Sequence, residues 1–177
     1  MFRLETERLL VRPWETADRD VFRAMATDPE VMKYVHGGEP YTEAEIDEFL
    51  ARQARQLAEH DLTMGALIEK QSGRVVGVCG VQPLGASDDL EIGWWLVREV
   101  WGRGYATEAG GAAMRYVLET LARPRVVAII DPGNVASQRV VERLGMHLAG
   151  RFTGAELKHR KPEIVVDLFV RDATAAY

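Results

Sequence analysis

The sequence predicts one α/β (α+β) domain over residues 1–177, with a mixed central sheet of about seven strands flanked by about four helices. The chain is 177 residues long and 47% hydrophobic, which is enough for one well-buried core. Short β-branched or aromatic runs alternate with stretches of helical periodicity. An apolar, aromatic run at residues 90–97 passes through a glycine-rich turn directly into a helical pattern.

The first third of the chain is predicted to contain one strand and two helices. Residues 2–13 alternate loosely between apolar and polar residues and end at a proline, which favours a strand. Thr16 is a suitable N-cap for a helix that should stop near Pro29, since the residue before a proline avoids helical geometry. Thr42 and Glu45 form a capping box, which predicts the start of a second helix.

The middle of the chain is predicted to form an antiparallel meander. Residues 62–70 and 74–81 have the pattern of a hairpin, and residues 90–97 follow as a third antiparallel strand. After the glycine-rich turn, apolar residues recur at helical spacing, so a helix follows this strand.

The last third of the chain is predicted to supply three strands and one helix. Residues 125–130 are β-branched and are expected to be buried on both faces of the sheet. Asn134 can cap a short helix that ends at Gly145. Residues 146–153 and 162–171 are the last two predicted strands.

Composition argues against several classes of function. A formal charge of −5 and the lack of a long basic run give no electrostatic basis for binding nucleic acid. There is no signal peptide and no apolar span of about 20 residues, so we expect no membrane association and a cytoplasmic location. The single cysteine, Cys79, lies in an apolar run and is predicted to be a small buried hydrophobe rather than a catalytic thiol. No histidine and cysteine cluster has the spacing of a metal site.

Residues 98–109 have the pattern of an anion-binding loop. Gly102 and Gly104 let an anion approach the main chain, and the following helix offers bare N–H groups and the positive end of its dipole. Arg103 and Arg98 are candidates for additional positive charge. The sequence therefore predicts a phosphate-binding cradle, which we define as residues 102–106.

Two common phosphate-binding motifs are excluded at the cradle. A Walker loop requires Lys and then Ser or Thr after its second glycine, where this chain has Tyr105 and Ala106. A Rossmann fingerprint requires glycine or alanine at the position of Thr107, and an acidic residue about twenty residues later that this chain lacks.

The stretch Trp101-Gly102-Arg103-Gly104-Tyr105-Ala106 resembles the acyl-CoA pyrophosphate loop of the GNAT N-acyltransferase superfamily, whose pattern is Gln/Arg-x-x-Gly-x-Gly/Ala. Trp101 departs from that pattern. This tryptophan, the Ala-Thr-Glu-Ala that follows and the opening residues 4–13 resemble the RimJ/RimL-type branch, which contains ribosomal-protein N-terminal acetyltransferases. The predicted order β-α-α-β-β-β-α-β-α-β-β also resembles the GNAT fold over nearly the whole chain.

This resemblance implies an acetyl-CoA-dependent enzyme in which the central strand and the strand after it are parallel and splay apart at one end. The pantetheine arm would lie in that gap and pair with backbone groups near Trp95 and Leu96. The residues implied to bind the pyrophosphate are Trp101, Gly102, Arg103, Gly104, Ala106 and Thr107.

A second motif resembles the family pattern Asn-x-x-Ser/Ala…Leu-Gly-Phe, here Asn134-Val135-Ala136-Ser137 with Leu144-Gly145-Met146. It implies that Asn134 hydrogen-bonds the pantetheine arm and that Ser137 lies near the thioester sulfur. A helix cap is the alternative role of Asn134, and the two roles are compatible. Many members carry a tyrosine as proton donor four residues after the serine, but this chain has Val141 there, which leaves Ser137 or water to protonate the sulfur.

Glu91 is the candidate catalytic base that accepts a proton from the amine. On the central strand it shares a face with Gly93 and Trp95, opposite an apolar face, and the resemblance implies an acidic residue in this region of the acceptor cleft. A solvated or ion-paired glutamate is the alternative. Glu108 is a rival carboxylate, although near the helix start it more simply complements the helix dipole.

The resemblance implies that the loop between the first two helices shapes the acceptor pocket, with Tyr34 and His36 as substrate-binding residues. His36 is also a candidate proton relay, with an ordinary surface histidine as the alternative. Residues 158–161 read Lys-His-Arg-Lys, which favours a solvated loop but would also suit an anionic group on the acceptor.

The sequence therefore predicts an N-acetyltransferase that moves an acetyl group from acetyl-CoA to a primary amine by direct transfer in a ternary complex, without a metal. The acceptor is either the N-terminus of a protein or peptide or a small-molecule amine. A catalytically inactive CoA-binding module is the alternative, suggested by Val141 and Trp101. A monomer and a homodimer are both compatible with the sequence.

Overall fold

One mixed sheet of eight strands runs through residues 2–173, the part of the chain that this computed structural model describes. The strands are β1 (Leu4–Glu5), β2 (Leu9–Arg12), β3 (Met64–Glu69), β4 (Arg74–Pro83), β5 (Leu90–Leu96), β6 (Arg125–Ile130), β7 (His147–Thr153) and β8 (Val165–Asp172). Their order across the sheet is β1-β2-β3-β4-β5-β6-β8-β7. β5 and β6 are parallel, and the other neighbouring pairs are antiparallel.

Five α-helices cover the two faces of this sheet. They are α1 (Arg19–Ala26), α2 (Pro29–Met32), α3 (Glu43–His60), α4 (Tyr105–Arg115) and α5 (Val135–Arg143), and α4 continues into a π-helical turn at Tyr116–Thr120. Within residues 2–173, no helix has both the length and the apolar character needed to cross a bilayer. The fold class predicted from the sequence is confirmed.

Most of the predicted elements are present and are capped where the sequence indicates. The Glu45 carboxylate accepts a hydrogen bond from the Thr42 N–H at 2.8 Å, and the Thr42 hydroxyl accepts one from the Glu45 N–H at 3.3 Å, so the capping box of α3 is confirmed. Asn134 caps α5 by accepting from the Ser137 N–H at 3.1 Å, and Gly145, with φ of 68°, follows the helix end. The hairpin of β3 and β4 and the third antiparallel strand β5 are also confirmed.

The prediction of a single strand over residues 2–13 is wrong, because this segment forms two short strands. Thr6 and Leu9 exchange hydrogen bonds, from the Thr6 N–H to the Leu9 carbonyl at 2.9 Å and from the Leu9 N–H to the Thr6 hydroxyl at 3.0 Å. These bonds close a tight turn, and β1 and β2 pair with each other across it. The split gives eight strands where about seven were expected.

The expected cap and end of the first helix also need correction. Thr16 does not cap it; the segment begins with a 3₁₀ turn whose N-cap is Glu15, and the Glu15 N–H donates to the Asp18 carboxylate at 2.8 Å. α1 ends before Pro29, as predicted, but Asp28 then caps a new helix with Pro29 at its first position. α2 is therefore the helix that was not predicted, and it brings the number of α-helices in the described residues to five.

Two apolar clusters hold the helices on opposite faces of β5. Ile92 and Leu96 pack with the α4 side, whereas Trp95 packs with the aromatic residues of α1 and α3. On the latter side, Phe22 stacks on Phe49 with ring centroids 4.6 Å apart, and Trp95 meets Phe49 edge-on at 6.0 Å. The predicted alternation of β5 is confirmed.

Cys79 is the free cysteine of β4 and is fully buried. Burial raises the pKa of its thiol to about 12. The prediction of a small buried hydrophobe is confirmed, because such a thiol is not a nucleophile at neutral pH.

β5 and β6 separate immediately beyond Glu91. Their register contains one pair, Glu91 with Val127, whereas β5 pairs with β4 over its whole length. Among the described residues, the β6-facing side of positions 92–96 therefore has no neighbouring strand. The splayed pair implied by the resemblance is observed, and it opens a gap in the middle of the sheet.

Candidate active site

A cleft of about 660 Å³ lies where β5 and β6 separate. Its walls come from β4, β5, the end of β6, α3, the start of α5, the loop after α2 and the loop between β7 and β8. Six of the residues predicted to form the site line this cleft: Glu91, Trp95, Asn134, Ser137, Tyr34 and His36. The fold thus brings together residues from distant parts of the chain.

Glu91 is a buried carboxylate on the wall of the cleft. Its residue is 7% exposed, and Nε2 of Gln82 donates a hydrogen bond to its Oε2 at 3.0 Å. Burial raises the pKa of Glu91 to about 7, and the Gln82 hydrogen bond and the charges of Arg160 and Arg52 oppose a larger rise. Glu91 is neither solvated nor ion-paired among residues 2–173, so that alternative is wrong. A carboxylate with a pKa near 7 can accept and release a proton under physiological conditions.

The start of α5 presents Asn134 and Ser137 to the cleft. Oδ1 of Asn134 accepts the capping hydrogen bond from the Ser137 N–H, so its Nδ2 is the group that can donate to a ligand. Ser137 is half-buried. Val141, one turn further along α5, is fully buried in the main core, so hydrocarbon occupies the position of the usual tyrosine. The roles of Asn134 and Ser137 toward a ligand stay predictions.

The cradle has the backbone geometry that anion binding requires. Gly102 and Gly104 have φ values of 75° and 78°, in the left-handed region that favours glycine. Gly104 is the N-cap residue of α4, and no side chain caps this helix end among the described residues. The N–H groups of the first turn, which includes Ala106 and Thr107, therefore remain available to an anion.

Trp101 connects the cradle to the end of β5. Its indole Nε1 donates to the carbonyl oxygen of Leu96 at 2.8 Å, and half of its surface is exposed. The residue that departs from the family pattern thus supports the loop. The Leu96 side chain is buried in the main core, so only its backbone can serve a ligand. The cradle and Leu96 lie outside the cleft, and Thr107 lines a separate cavity of about 640 Å³ beside α4 and α5.

The arginines around the cradle already have partners. Arg98 forms an ion pair with Asp28 at 3.0 Å, and Arg103 approaches Glu69 at 3.4 Å. Arg8, which sequence reasoning missed, donates from Nη1 to the carbonyl oxygen of Arg103 at 3.0 Å. Arg8 therefore fixes the cradle to the N-terminal hairpin.

Glu108 is held by the turn between β1 and β2. Its carboxylate accepts hydrogen bonds from the Thr6 hydroxyl at 2.6 Å, the Arg8 N–H at 3.0 Å and the Arg8 Nε at 2.6 Å. Burial alone would raise the pKa of Glu108, but these hydrogen bonds outweigh it and lower the pKa. Such a carboxylate is a poor proton acceptor, which leaves Glu91 as the better candidate.

His36 is half-buried as a residue but its side chain is shielded from solvent, so the alternative of an ordinary surface histidine is wrong. Its side chain is 8% exposed, and Nε2 lies 2.9 Å from Oε1 of Glu45. Burial lowers the pKa of His36, and the Glu45 hydrogen bond opposes this. Tyr34 lies nearer the surface, where its ring packs against Gly133: a Cβ at that glycine would be 3.2 Å from Cε1 of Tyr34.

Sequence reasoning missed Arg52 and Gln82 on the cleft wall. The available signal for Arg52 is its position three residues after Phe49 on α3, which places the two side chains next to each other. The signal for Gln82 is its position directly opposite Glu91 in the β4 and β5 register.

The family model described as "Acetyltransferase (GNAT) domain" matches residues 8–147, a span that contains Glu91, the cradle and the motif from Asn134 to Ser137. The chain belongs to the GNAT acetyltransferase family.

This GNAT protein is 32% identical over 148 residues to the uncharacterized protein YkkB of Bacillus subtilis, across 82% of this chain and 85% of YkkB. It is 31% identical over 149 residues to the uncharacterized N-acetyltransferase p20 of Bacillus licheniformis, across 83% of each chain. A solved acetyltransferase from Agrobacterium tumefaciens is 27% identical, with a TM-score of 0.80 across 97% of this chain and 94% of that one. Solved ribosomal-protein acetyltransferases share the fold at under 25% identity, so the RimJ/RimL-type branch stays a prediction.

Proposed function

We propose that this GNAT protein is an N-acetyltransferase that moves an acetyl group from acetyl-CoA to a primary amine by direct transfer in a ternary complex. The observation that carries the proposal is Glu91, a buried carboxylate with a pKa of about 7 on a cleft that adjoins the gap in the sheet. A base with this pKa is matched to its task near neutral pH.

Several features fit acetyl-CoA as the acetyl donor. The uncapped start of α4 and the two left-handed glycines suit the pyrophosphate, because no Cβ blocks its approach to the N–H groups. The gap between β5 and β6 suits the extended pantetheine arm, and Asn134 Nδ2 can donate to it. The thioester would then reach the cleft that Glu91 and Ser137 line.

The proposed reaction begins with deprotonation of the amine. An amine like that of lysine arrives protonated at pH 7, and Glu91 accepts one proton from it, directly or through water. The neutral nitrogen forms a C–N bond with the thioester carbonyl carbon, the C–S bond breaks, and the sulfur leaves with the bonding electron pair. The second amine proton reaches the sulfur through Ser137 or water, which gives free CoA thiol and the amide.

Burial of Val141 in the core is the observation that favours the rival function, a CoA-binding module without catalysis. A thiol with a pKa near 8.5 is nevertheless a tolerable leaving group as thiolate. Positioning of the amine and stabilisation of the developing oxyanion contribute more to thioester aminolysis than protonation of sulfur does.

Detection of free CoA with DTNB over a panel of amines and N-terminal peptides separates the two functions. We expect turnover of at least one class of acceptor well above the enzyme-free rate. Binding of CoA without turnover of any acceptor would favour the inactive module. The RimJ/RimL-type branch predicts protein N-termini among the acceptors, and the cytoplasmic location predicted from the sequence remains part of this proposal.

A further inference from the structure

Arg52 is a half-buried residue on the wall of the cleft, and its guanidinium forms no ion pair among the described residues. Its Nε and Nη2 are shielded from solvent and have no hydrogen-bond partner among the described residues. Its guanidinium lies 5.2 Å from the centroid of the Phe49 ring. Burial lowers the pKa of Arg52 to about 10, and the charge of Arg160 adds to this effect. Charged donors without an acceptor are costly inside a protein, so this arrangement needs an explanation.

Arg160 brings a second guanidinium to the same wall. Arg52, Gln82, Glu91, His159 and Arg160 line both the cleft and a smaller cavity of about 420 Å³, so they form the partition between the two. Among residues 2–173, no carboxylate forms an ion pair with Arg52 or Arg160. Glu91 is the acidic member of this partition, and Gln82 already hydrogen-bonds its carboxylate.

We propose that Arg52, together with Arg160, binds a carboxylate on the acceptor, so that this enzyme selects small primary amines that also carry a carboxylate group. The inference rests on the proposed acetyl transfer and names its class of acceptor. A guanidinium presents two parallel N–H donors that match a carboxylate, and the low dielectric of a buried wall strengthens the pair.

The same partition would orient the acceptor for reaction. The carboxylate at Arg52 and the amine near Glu91 fix both ends of a small molecule on one wall, which is the positioning that aminolysis requires. The guanidinium of Arg52 lies over the Phe49 ring, and its Nε and Nη2 have no hydrogen-bond partner among the described residues, so these groups can turn toward the ligand without breaking a hydrogen bond. Two arginines repel a polyamine, because such an acceptor brings further positive charge.

Matched pairs of acceptors test the inference. The kcat/KM values for a set of L-amino acids and β-alanine are compared with those for the corresponding carboxamides. Spermidine and short peptides are tested as additional acceptors. Loss of the carboxylate makes the amine less basic, so chemistry alone favours the amides at neutral pH. We expect kcat/KM for at least one acid to exceed that for its amide by at least about tenfold.

Two substitutions on α3 distinguish an effect of the Arg52 side chain from a general effect on the helix. In Arg52→Gln we expect the preference for acid over amide to disappear, mainly through a higher KM for the acid, with CoA affinity unchanged. Arg55→Gln is the matched control, since Arg55 is exposed and pairs with Glu48 at 2.8 Å. This control should retain the preference.

The outcomes separate this inference from the proposed function. Turnover with equal use of acids and amides, or equal behaviour of the two variants, overturns the carboxylate site and leaves acetyl transfer standing. A preference for peptides over free amino acids overturns the small-molecule class. If no amine is turned over, ligand-observed NMR with CoA present compares N-acetylated amino acids with their amides. Selective binding of the acids that Arg52→Gln removes then supports the carboxylate site, and equal or absent binding overturns it.

Discussion

Gln82 and Glu91 face each other across β4 and β5, and the Gln82 amide donates a 3.0 Å hydrogen bond to the Glu91 carboxylate. Burial raises the pKa of Glu91 to about 7, and this hydrogen bond opposes a larger rise because it stabilises the ionised form. The hydrogen bond from Gln82 thus helps to keep the pKa of Glu91, the candidate base, near neutral pH.

Glu91→Gln should keep the strand and CoA affinity nearly intact while lowering kcat/KM at neutral pH by roughly 10²-fold or more, the usual contribution of a positioned base. Raising the pH supplies neutral amine from solution, so the deficit should shrink toward the pKa of the amine. The measurement is kcat/KM for both proteins from about pH 6 to about pH 10. A ratio that stays constant over this range would remove Glu91 as the base.

The pH profile of the wild-type enzyme should also depend on Gln82. Gln82→Met removes the hydrogen bond to the ionised form, so the acidic limb of kcat/KM should move to higher pH by about half a unit to one unit. Gln56→Met is the control, because Gln56 lies on the smaller cavity and makes no hydrogen bond to Glu91. Superimposable profiles for the wild type and Gln82→Met would contradict this positioning role.

The raised pKa of Glu91 should be detectable in the free protein, through the pH dependence of its free energy of unfolding. Between the ordinary glutamate pKa of about 4.3 and about 7, the folded chain holds a proton that the unfolded chain has released. The contribution of Glu91 to the free energy of unfolding therefore falls with rising pH across this window and stays at its lowered value above it. The side chain of Glu91→Gln cannot ionise, so the stability of this variant relative to the wild type should rise by at most about 4 kcal/mol between the two ends of the window. Urea titrations at both ends measure the difference, and parallel curves would mean that Glu91 titrates normally.

The cradle can be tested with two substitutions at one glycine. Gly104→Ala and Gly104→Glu both place a side chain at φ of 78°, so each should lose about 1–2 kcal/mol of stability. The alanine adds only a Cβ to the cradle, whereas the glutamate also adds a negative charge, so the rise in melting temperature that CoA causes should be smaller in Gly104→Ala than in the wild type and absent in Gly104→Glu. If CoA at millimolar concentration leaves the wild-type melting temperature unchanged, the cradle does not bind CoA.

Elements with local signals could be predicted from the sequence. The capping box of Thr42 and Glu45 is a four-residue pattern, and the hairpin of β3 and β4 needs two strand patterns and a turn. The N-terminal turn was missed because it depends on the hydroxyl of Thr6, which closes on Leu9 in a segment without glycine or asparagine.

The residues of the candidate site likewise fall into those with a local sequence signal and those without one. Gly102 and Gly104 could be recognised because left-handed backbone geometry has a sequence signature. Arg52 could not, because the periodicity of α3 shows which helix face is apolar but not what packs over it. Its environment depends on Arg160, from a loop far away in the chain. The pairing of His36 with Glu45 was missed for a similar reason, since it joins a loop to a helix.

The gap between β5 and β6 divides the sheet into two hydrogen-bonded blocks. β1 to β5 form one ladder and β6 to β8 form another, and the pair of Glu91 and Val127 joins them. Cooperative opening units tend to follow such boundaries, so amide hydrogen exchange of the free protein should resolve two units with separate opening free energies. A ligand in the gap contacts both blocks, and by linkage its binding free energy opposes the opening of either one. The bound co-substrate therefore couples the two blocks, and the sheet should open as one cooperative unit while the co-substrate is bound.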